Sequence, residues 1–310
     1  MNLDSKIYIA GHNGMVGSAI WRHFVKKGYT NLLGVNSYHL DLRKQNDVFD
    51  AFGKIKPEYV IVAAAKVGGI LANDSQPAEF IYDNLSIQTN LIDCSYKHNV
   101  KKLLFLGSSC IYPKFAEQPI SEDKLLSGYL EPTNDAYAIA KIAGIKMCQS
   151  YHKQYGCNYI SAMPCNLYGI NDNFDLTSSH VLPALIRKFH EAKIKNLPQV
   201  ICWGSGTPMR EFMYVDDLAD ACLFLMNNYD DAKHINVGYG KDISIRDLVE
   251  VIRNVVNYEG EVVWDLSKPD GTPKKLMDSS KLFSMGWKPN TSLIEGIEKT
   301  YGWFKNNVRL

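Results

Sequence analysis

A short apolar run, Ile7-Tyr8-Ile9-Ala10, opens directly into Gly11-His12-Asn13-Gly14-Met15-Val16-Gly17, and an apolar, helix-forming stretch follows. Few sequence features limit a chain more. The amide N–H groups at a helix N-terminus and the positive end of its dipole can hold a pyrophosphate only if the backbone comes close to it. Side chains at Gly11, Gly14 and Gly17 would block that approach. The loop therefore predicts a strand–turn–helix unit that binds a dinucleotide.

The pattern around the loop agrees. Strands are expected over residues 6–10, 32–35, 59–64, 103–107 and 159–163, and helices over Val16–Lys27, Asp47–Lys54, Asp83–Lys97 and Ala136–Tyr155. Near-continuously apolar strands alternating with amphipathic helices imply a parallel sheet covered on both faces. The fold class read from this is α/β, a doubly wound parallel sheet of Rossmann type with a smaller α/β substrate-binding lobe. The alternation stops near residue 165. Residues 171–206 read as helix plus loops, and residues 210–226 as a helix-rich return. Residues 234–237 read as a further strand, and 244–256 and 292–305 as helices around the Pro/Gly-rich loop Lys268–Pro273. The expected division is a nucleotide-binding domain over 1–165, with 210–240 returning to it, and a substrate lobe from 166–209 and 241–310.

Composition narrows the function. Thirty-four Lys and Arg against 33 Asp and Glu leave a formal charge of +1. No basic run marks a nucleic-acid or anionic-membrane partner. No stretch of about 18 apolar residues is present, nor is an apolar leader at Met1. The seven cysteines include no C-x-x-C pair, so neither a disulfide framework nor a metal site is expected. The chain reads as cytoplasmic.

The second strand should end near the adenosine ribose, where Asp or Glu favours NAD and a cation favours NADP. Val35-Asn36-Ser37-Tyr38 supplies neither. Asp41 follows, either facing the adenine edge or as a solvated loop acid. These residues leave the cofactor a nicotinamide dinucleotide of open phosphate state.

Leu103–Gly107 should release Ser108-Ser109-Cys110 at its carboxyl end, where ligands bind in open α/β sheets. Downstream, Tyr137 and Lys141 are four residues apart and share one helical face. A lysine beside a phenol favours the phenolate and makes tyrosine a usable acid or base. The hydroxyl of Ser108 would complete an oxygen-binding pair for a carbonyl under reduction. Cys110 and His180 could exchange protons next to that ketone, or be a buried thiol and a capping histidine.

With these residues in view, the chain resembles the GDP-L-fucose synthases, which are extended short-chain dehydrogenases/reductases. The likeness is carried by Gly11–Gly17, Ala63–Ile70, Gly107–Pro113, Tyr137–Gly144, Trp203–Phe212 and Lys268–Pro273. It implies an NADP(H)-dependent homodimer that epimerises C3 and C5 of GDP-4-keto-6-deoxy-D-mannose and then reduces C4. By matching positions, Cys110 is the epimerisation base, His180 the acid and Tyr137 the proton donor to the C4 oxygen, with Lys141 and Ser108 in support. Cofactor contacts are implied for Gly11, His12, Asn13, Gly14, Met15, Val16, Gly17, Asp41, Leu42, Ala63, Ala64, Ala65, Leu106, Ser109, Tyr137, Lys141, Pro164, Asn166, Leu167 and His180. Substrate contacts are implied for Ser108, Ser109, Cys110, Asn166, Lys188, Trp203, Arg210 and Asp270.

The chain departs from that family where Asn13 and Asn36-Ser37-Tyr38 stand in place of arginines, which removes cations from a 2′-phosphate. His39, Arg43 or Lys44 could compensate. A second reading keeps the reductase and changes the sugar, to a GDP-4-keto-heptose of surface-polysaccharide synthesis with little epimerisation. A 4,6-dehydratase would need an Asp-Glu pair where Cys110-Ile111 stands. A dinucleotide-sensing regulator would not need Ser108, Cys110, Tyr137 and Lys141 together.

Overall fold

The computed structural model describes residues 1–268 and 270–309. The glycine loop joins β1 (Ile7–Ala10) to α1 (Met15–Lys26), which buries Gly17, Ala19, Ile20 and Phe24. The chain continues through β2 (Leu32–Leu33), α2 (Gln45–Ile55), β3 (Tyr59–Val62), α3 (Ile70–Ser75), α4 (Pro77–Lys97), β4 (Lys102–Leu106), α5 (Asp135–Tyr155) and β5 (Tyr159–Pro164). β1, β4 and β5 are buried at every position, as a sheet covered on both faces requires.

Beyond β5 come β6 (Asn166–Tyr168), α6 (Val181–Ile194), β7 (Gln199–Trp203), β8 (Met209–Tyr214), α7 (Val215–Asn228) and β9 (Ile235–Val237). The tail adds β10 (Asp242–Ser244), α8 (Ile245–Val256), β11 (Glu261–Asp265), β12 (Lys274–Lys275), α9 (Ser280–Ser284) and α10 (Leu293–Asn307).

Among the described residues the main sheet has six strands in the order β2-β1-β3-β4-β5-β9, with every pairing parallel. This is the expected doubly wound α/β sheet. The chain passes from one side of β1 to the other between β2 and β3, so the crevice beyond β1 and β3 is the topological switch point, where such sheets bind ligands. α4 packs on α2 and α5, and α1 packs on α7.

A second apolar cluster gathers Tyr168, Leu182, Phe189, Phe212, Leu248, Ile252, Ile297 and Phe304 from α6, α8, α10 and the strands between them. α8 shows why it forms. Leu248, Val249, Ile252 and Val256 fall on one buried face, and Ser244 accepts from the Asp247 N–H at its start. Removing a fully buried Ile252 side chain would cost about 2–5 kcal/mol.

Two expectations need correction. Residues 209–214, at the start of the segment read as helix-rich, form a strand, and the helix begins only at Val215. Pairing with β6, β10 and β12 gives this segment its extended form. Residues 199–203 also form a strand inside the region read as helix plus loops. Val200 and Cys202 face inward, but Ile201 and Trp203 face outward and are equally apolar, so the alternation is masked in sequence. Of the Lys268–Pro273 loop, Pro269 lies outside the described residues.

Candidate active site

The glycine loop has the geometry of a phosphate cradle. Gly11 adopts φ +81°, and a Cβ there would meet Ala64 N at 2.8 Å, so the loop lies against the end of β3. A Cβ on Gly17 would collide with the Gly11 carbonyl oxygen, whereas one on Gly14 would meet it only at 3.5 Å. Gly14 is the N-cap of α1, no side chain caps that helix, and its first turn has no acidic residue. The free N–H groups of α1 therefore face the switch point, and a dinucleotide pyrophosphate fits there. Asn13 is exposed beside the crevice, and Met15 and Val16 pack inward on the core. The His12 ring lies against Gly34 and Trp21 at the end of β2.

The neighbouring ribose region carries a compact charge network. Arg43 donates to both oxygens of Asp41 at 2.9 Å and to Asp83 on α4 at 3.1 Å. The Arg43 guanidinium holds the Asp41 carboxyl down at about 2. Leu42 gives its carbonyl to Asn90 at 2.9 Å. Arg43, one of the three groups that could compensate, thus already serves two carboxylates. His39 and Lys44 are exposed. Ala63 N donates to the Ala10 carbonyl at 3.1 Å, and the run continues through Ala64 and Ala65 to Gly69, whose N–H donates to Ser178 O at 2.9 Å. That contact ties the cofactor crevice to the loop bearing His180.

At the carboxyl end of β4, Ser108 accepts from the Cys110 N–H at 3.3 Å, with Ser109 buried beneath. Lys141 on α5 is buried and donates Nζ to the Leu106 carbonyl at 2.8 Å; its ammonium lies 5.8 Å from the Tyr137 ring centroid. Burial brings the Lys141 pKa down to about 8, which leaves it mostly protonated at neutral pH. Burial raises the Tyr137 phenol, the nearby Cys110 raises it further, and the hydrogen bond to Ser108 lowers it. Ser108, Cys110, Tyr137 and Lys141 therefore converge. A thiolate at Cys110 keeps Tyr137 protonated, so one site can hold a base and a proton donor at once.

Cys110 is half-buried, and Asn134 Nδ2 donates to its Sγ at 3.5 Å. His180 occupies the N-cap position of α6 without a capping hydrogen bond, and the residue as a whole is exposed. Desolvation by the surrounding protein nonetheless lowers its pKa, which disfavours the imidazolium.

The remaining sequence candidates lie from the end of β5 onward. Pro164 ends β5, Leu167 packs on the main core, and Asn166 donates to the Glu211 carbonyl at 2.8 Å. Lys188 and Lys268 stand 5.0 and 5.5 Å from the ring centroid of Trp203, which is 48% exposed. Asp270 accepts from Ser205 N at 2.7 Å and Ser205 Oγ at 2.8 Å. Burial disfavours the Arg210 charge, and Glu131 and Asp270 offset this. Asn134 and Glu131 were not singled out in sequence. Glu131 bridges Lys114 at 3.0 Å and Thr272 at 3.2 Å. A polar residue just before the Tyr137 helix was the one available signal for Asn134. Among the described residues no cluster of His, Cys, Asp or Glu could hold a metal ion, and no helix is long and apolar enough to cross a membrane.

A glycine cradle at the switch point, with a tyrosine–lysine helix closing on the adjacent strand end, defines a short-chain type of dinucleotide oxidoreductase. More particularly, the chain belongs to the NAD dependent epimerase/dehydratase family, whose model matches residues 7–238. It is 59% identical to GDP-L-fucose synthase 1 of Arabidopsis thaliana, over 98% of this chain and 94% of that protein. It is 52% identical to the GDP-L-fucose synthase of Escherichia coli K12, over 97% of each. Among solved structures it is similar to MlghC, a GDP-mannoheptose C4 reductase from Campylobacter jejuni with NADP bound. That likeness has a TM-score of 0.90 at 40% identity, covering 98% of this chain and 99% of that one.

Proposed function

We propose that the chain epimerises C3 and C5 of GDP-4-keto-6-deoxy-D-mannose and then reduces C4 with NADPH, giving GDP-L-fucose. The observation that carries the reading is the convergence of Cys110 with Ser108, Tyr137 and Lys141, in a chain 52% and 59% identical to two GDP-L-fucose synthases. Reduction alone calls for Ser108, Tyr137 and Lys141; a thiol beside them suits proton removal next to a ketone.

In this reading Cys110 takes the proton from C3 or C5 while the C4 carbonyl, hydrogen-bonded by Ser108 and Tyr137, stabilises the enolate. His180 returns a proton on the opposite face. A nicotinamide dinucleotide held in this crevice would supply the hydride for C4. Tyr137 gives its proton to the C4 oxygen, and the Lys141 ammonium stabilises the phenolate left behind. The glycine loop, residues 63–65 and residues 164–167 hold the dinucleotide. Lys188 and Arg210 suit the diphosphate, with Trp203 and Asp270 at the nucleotide. The lobes divide at 1–165 with 210–240, against 166–209 with 241–310. The enzyme is a cytoplasmic homodimer paired through α4 and α5, on which Tyr82, Ile139 and Tyr155 are exposed by 65, 46 and 47%.

A second reading, a GDP-4-keto-heptose C4 reductase of capsule synthesis, is favoured by the TM-score of 0.90 to the Campylobacter heptose reductase. Incubation with each keto-sugar in deuterated water separates the two. Deuterium washing into C3 and C5 of the 6-deoxy sugar, followed by reduction, supports the epimerase-reductase. Reduction of a heptose without wash-in of deuterium on any substrate would establish the second reading instead.

A further inference from the structure

Asn134 stands at the N-cap of α5, immediately before the helix that carries Tyr137 and Lys141. An asparagine at an N-cap ordinarily turns its side-chain oxygen onto the second or third N–H of the helix. Asn134 does not; no side-chain cap is made there. Its amide is instead turned toward the β4 turn, where Nδ2 donates to Cys110 Sγ at 3.5 Å. Its Oδ1 is buried and has no hydrogen-bond partner. A half-buried amide that gives up its cap and leaves a buried oxygen unsatisfied is held against two local preferences at once. What it gains is one contact, to sulfur.

The surroundings of that sulfur explain what the contact does. A thiol becomes a base at neutral pH only where donors or positive charge favour its thiolate. The Lys141 ammonium is spent on the Leu106 carbonyl. His180, at the N-cap of α6, makes no hydrogen bond to the sulfur, and desolvation disfavours its charged form. The Cys110 N–H points away from its own sulfur, to Ser108 Oγ. Among the described residues, Asn134 Nδ2 is the side-chain donor hydrogen-bonded to Sγ. A neutral amide also has a merit that a lysine would lack: it stabilises the thiolate and leaves Tyr137 free to stay protonated.

We infer that Asn134 is a positioning residue for Cys110, donating to the thiolate and fixing the sulfur toward the crevice. The inference rests on the proposed epimerase reading for its consequence, but the thiol chemistry can be read without any sugar.

Asn134→Asp and Asn134→Ser make the test, because both residues are good N-caps and leave a purely structural helix start intact. Aspartate sets a negative charge against the sulfur; serine is too short to reach it. The readout is the pH dependence of iodoacetamide labelling at Cys110, followed by peptide mass spectrometry in the NADP-bound protein. Cys157 is the other half-buried thiol, and it serves as an internal control. The labelling midpoint of Cys110 should rise by about one pH unit or more in both variants, a roughly tenfold slowing below the midpoint, with Cys157 unmoved. In the sugar assay, deuterium exchange at C3 and C5 should fall about tenfold more than hydride transfer to a sugar already epimerised. An unchanged Cys110 midpoint in both variants overturns the inference, as does an equal loss of exchange and hydride transfer. A shifted midpoint in a protein whose wild type shows no exchange would uphold Asn134 as the partner of Cys110 and fail only the epimerase reading.

Discussion

The ammonium of Lys141 donates to the main-chain oxygen of Leu106 at 2.8 Å, which pins the helix carrying Tyr137 to the strand end that releases Ser108. α5 approaches that closely because Gly144, one turn further on, has no side chain; a Cβ there would collide with the Phe105 ring. The proposed catalytic set is therefore held by core packing, and substitutions in it should separate chemistry from folding.

Tyr137→Phe keeps the ring and removes the proton donor. Reduction at C4 should fall by about 10²- to 10⁴-fold, while NADPH titrates the variant as it does wild type. Turnover near the wild-type rate would take proton donation away from Tyr137.

Lys141 is buried as a cation, with its pKa brought from 10.5 to about 8. Above pH 10.5 the amine is neutral in folded and unfolded chains alike, and its charge costs nothing. As pH falls from 10.5 to 8 the unfolded chain takes up a proton that the folded one refuses, so stability drops. Below that window the penalty is constant at about 3 kcal/mol. Lys141→Met should therefore raise the Tm of the cofactor-free protein at pH 7, with the gain shrinking toward pH 10, while reduction is lost. A variant less stable than wild type at pH 7 contradicts this account.

Gly17→Ala and Gly14→Ala should part company. The new Cβ at Gly17 meets the Gly11 carbonyl, so the variant loses about 1–3 kcal/mol of stability as well as cofactor affinity. At Gly14 the nearest atom is 3.5 Å away, so thermal unfolding should be near normal while NADPH binding weakens. Equal unfolding temperatures for the two variants would remove the distinction.

NADPH should be preferred over NADH, with the preference blunted because Arg43 is held by Asp41 and Asp83. Asp41→Asn removes one competitor and should raise the NADPH-to-NADH ratio of kcat/KM about two- to fivefold, the range of an exposed ion pair. The relevant comparison is steady-state kinetics at one low ionic strength. A ratio that stays put or shifts toward NADH counts against Arg43 as the 2′-phosphate cation.

Epimerisation should have a bell-shaped pH profile. Exchange at C3 and C5 needs a thiolate at Cys110, favoured as pH rises, and an imidazolium at His180, lost as pH rises past its lowered pKa. Hydride transfer to an already epimerised sugar lacks the His180 requirement. Its profile should extend further to the alkaline side, and superimposable profiles would exclude His180 as the acid.

How much was legible in the sequence follows from the range of the forces involved. The glycine loop, the apolar strands and the Tyr137–Lys141 spacing are local: each follows from backbone sterics, side-chain period or helical geometry within a few residues. They determine the parallel sheet, the dinucleotide crevice and the tyrosine–lysine face without reference to the rest of the chain. The structure alone decided what depends on residues far apart in sequence. β8 is a strand because β6, β10 and β12 pair with it, and no local pattern announces those partners. Arg43 is engaged by Asp83, 40 residues away on α4. The amide of Asn134 meets the sulfur of Cys110 only because α5 docks on the end of β4, 24 residues back in the chain. Local sequence chose the elements; the burial that brings their ends together chose which side chains share the site.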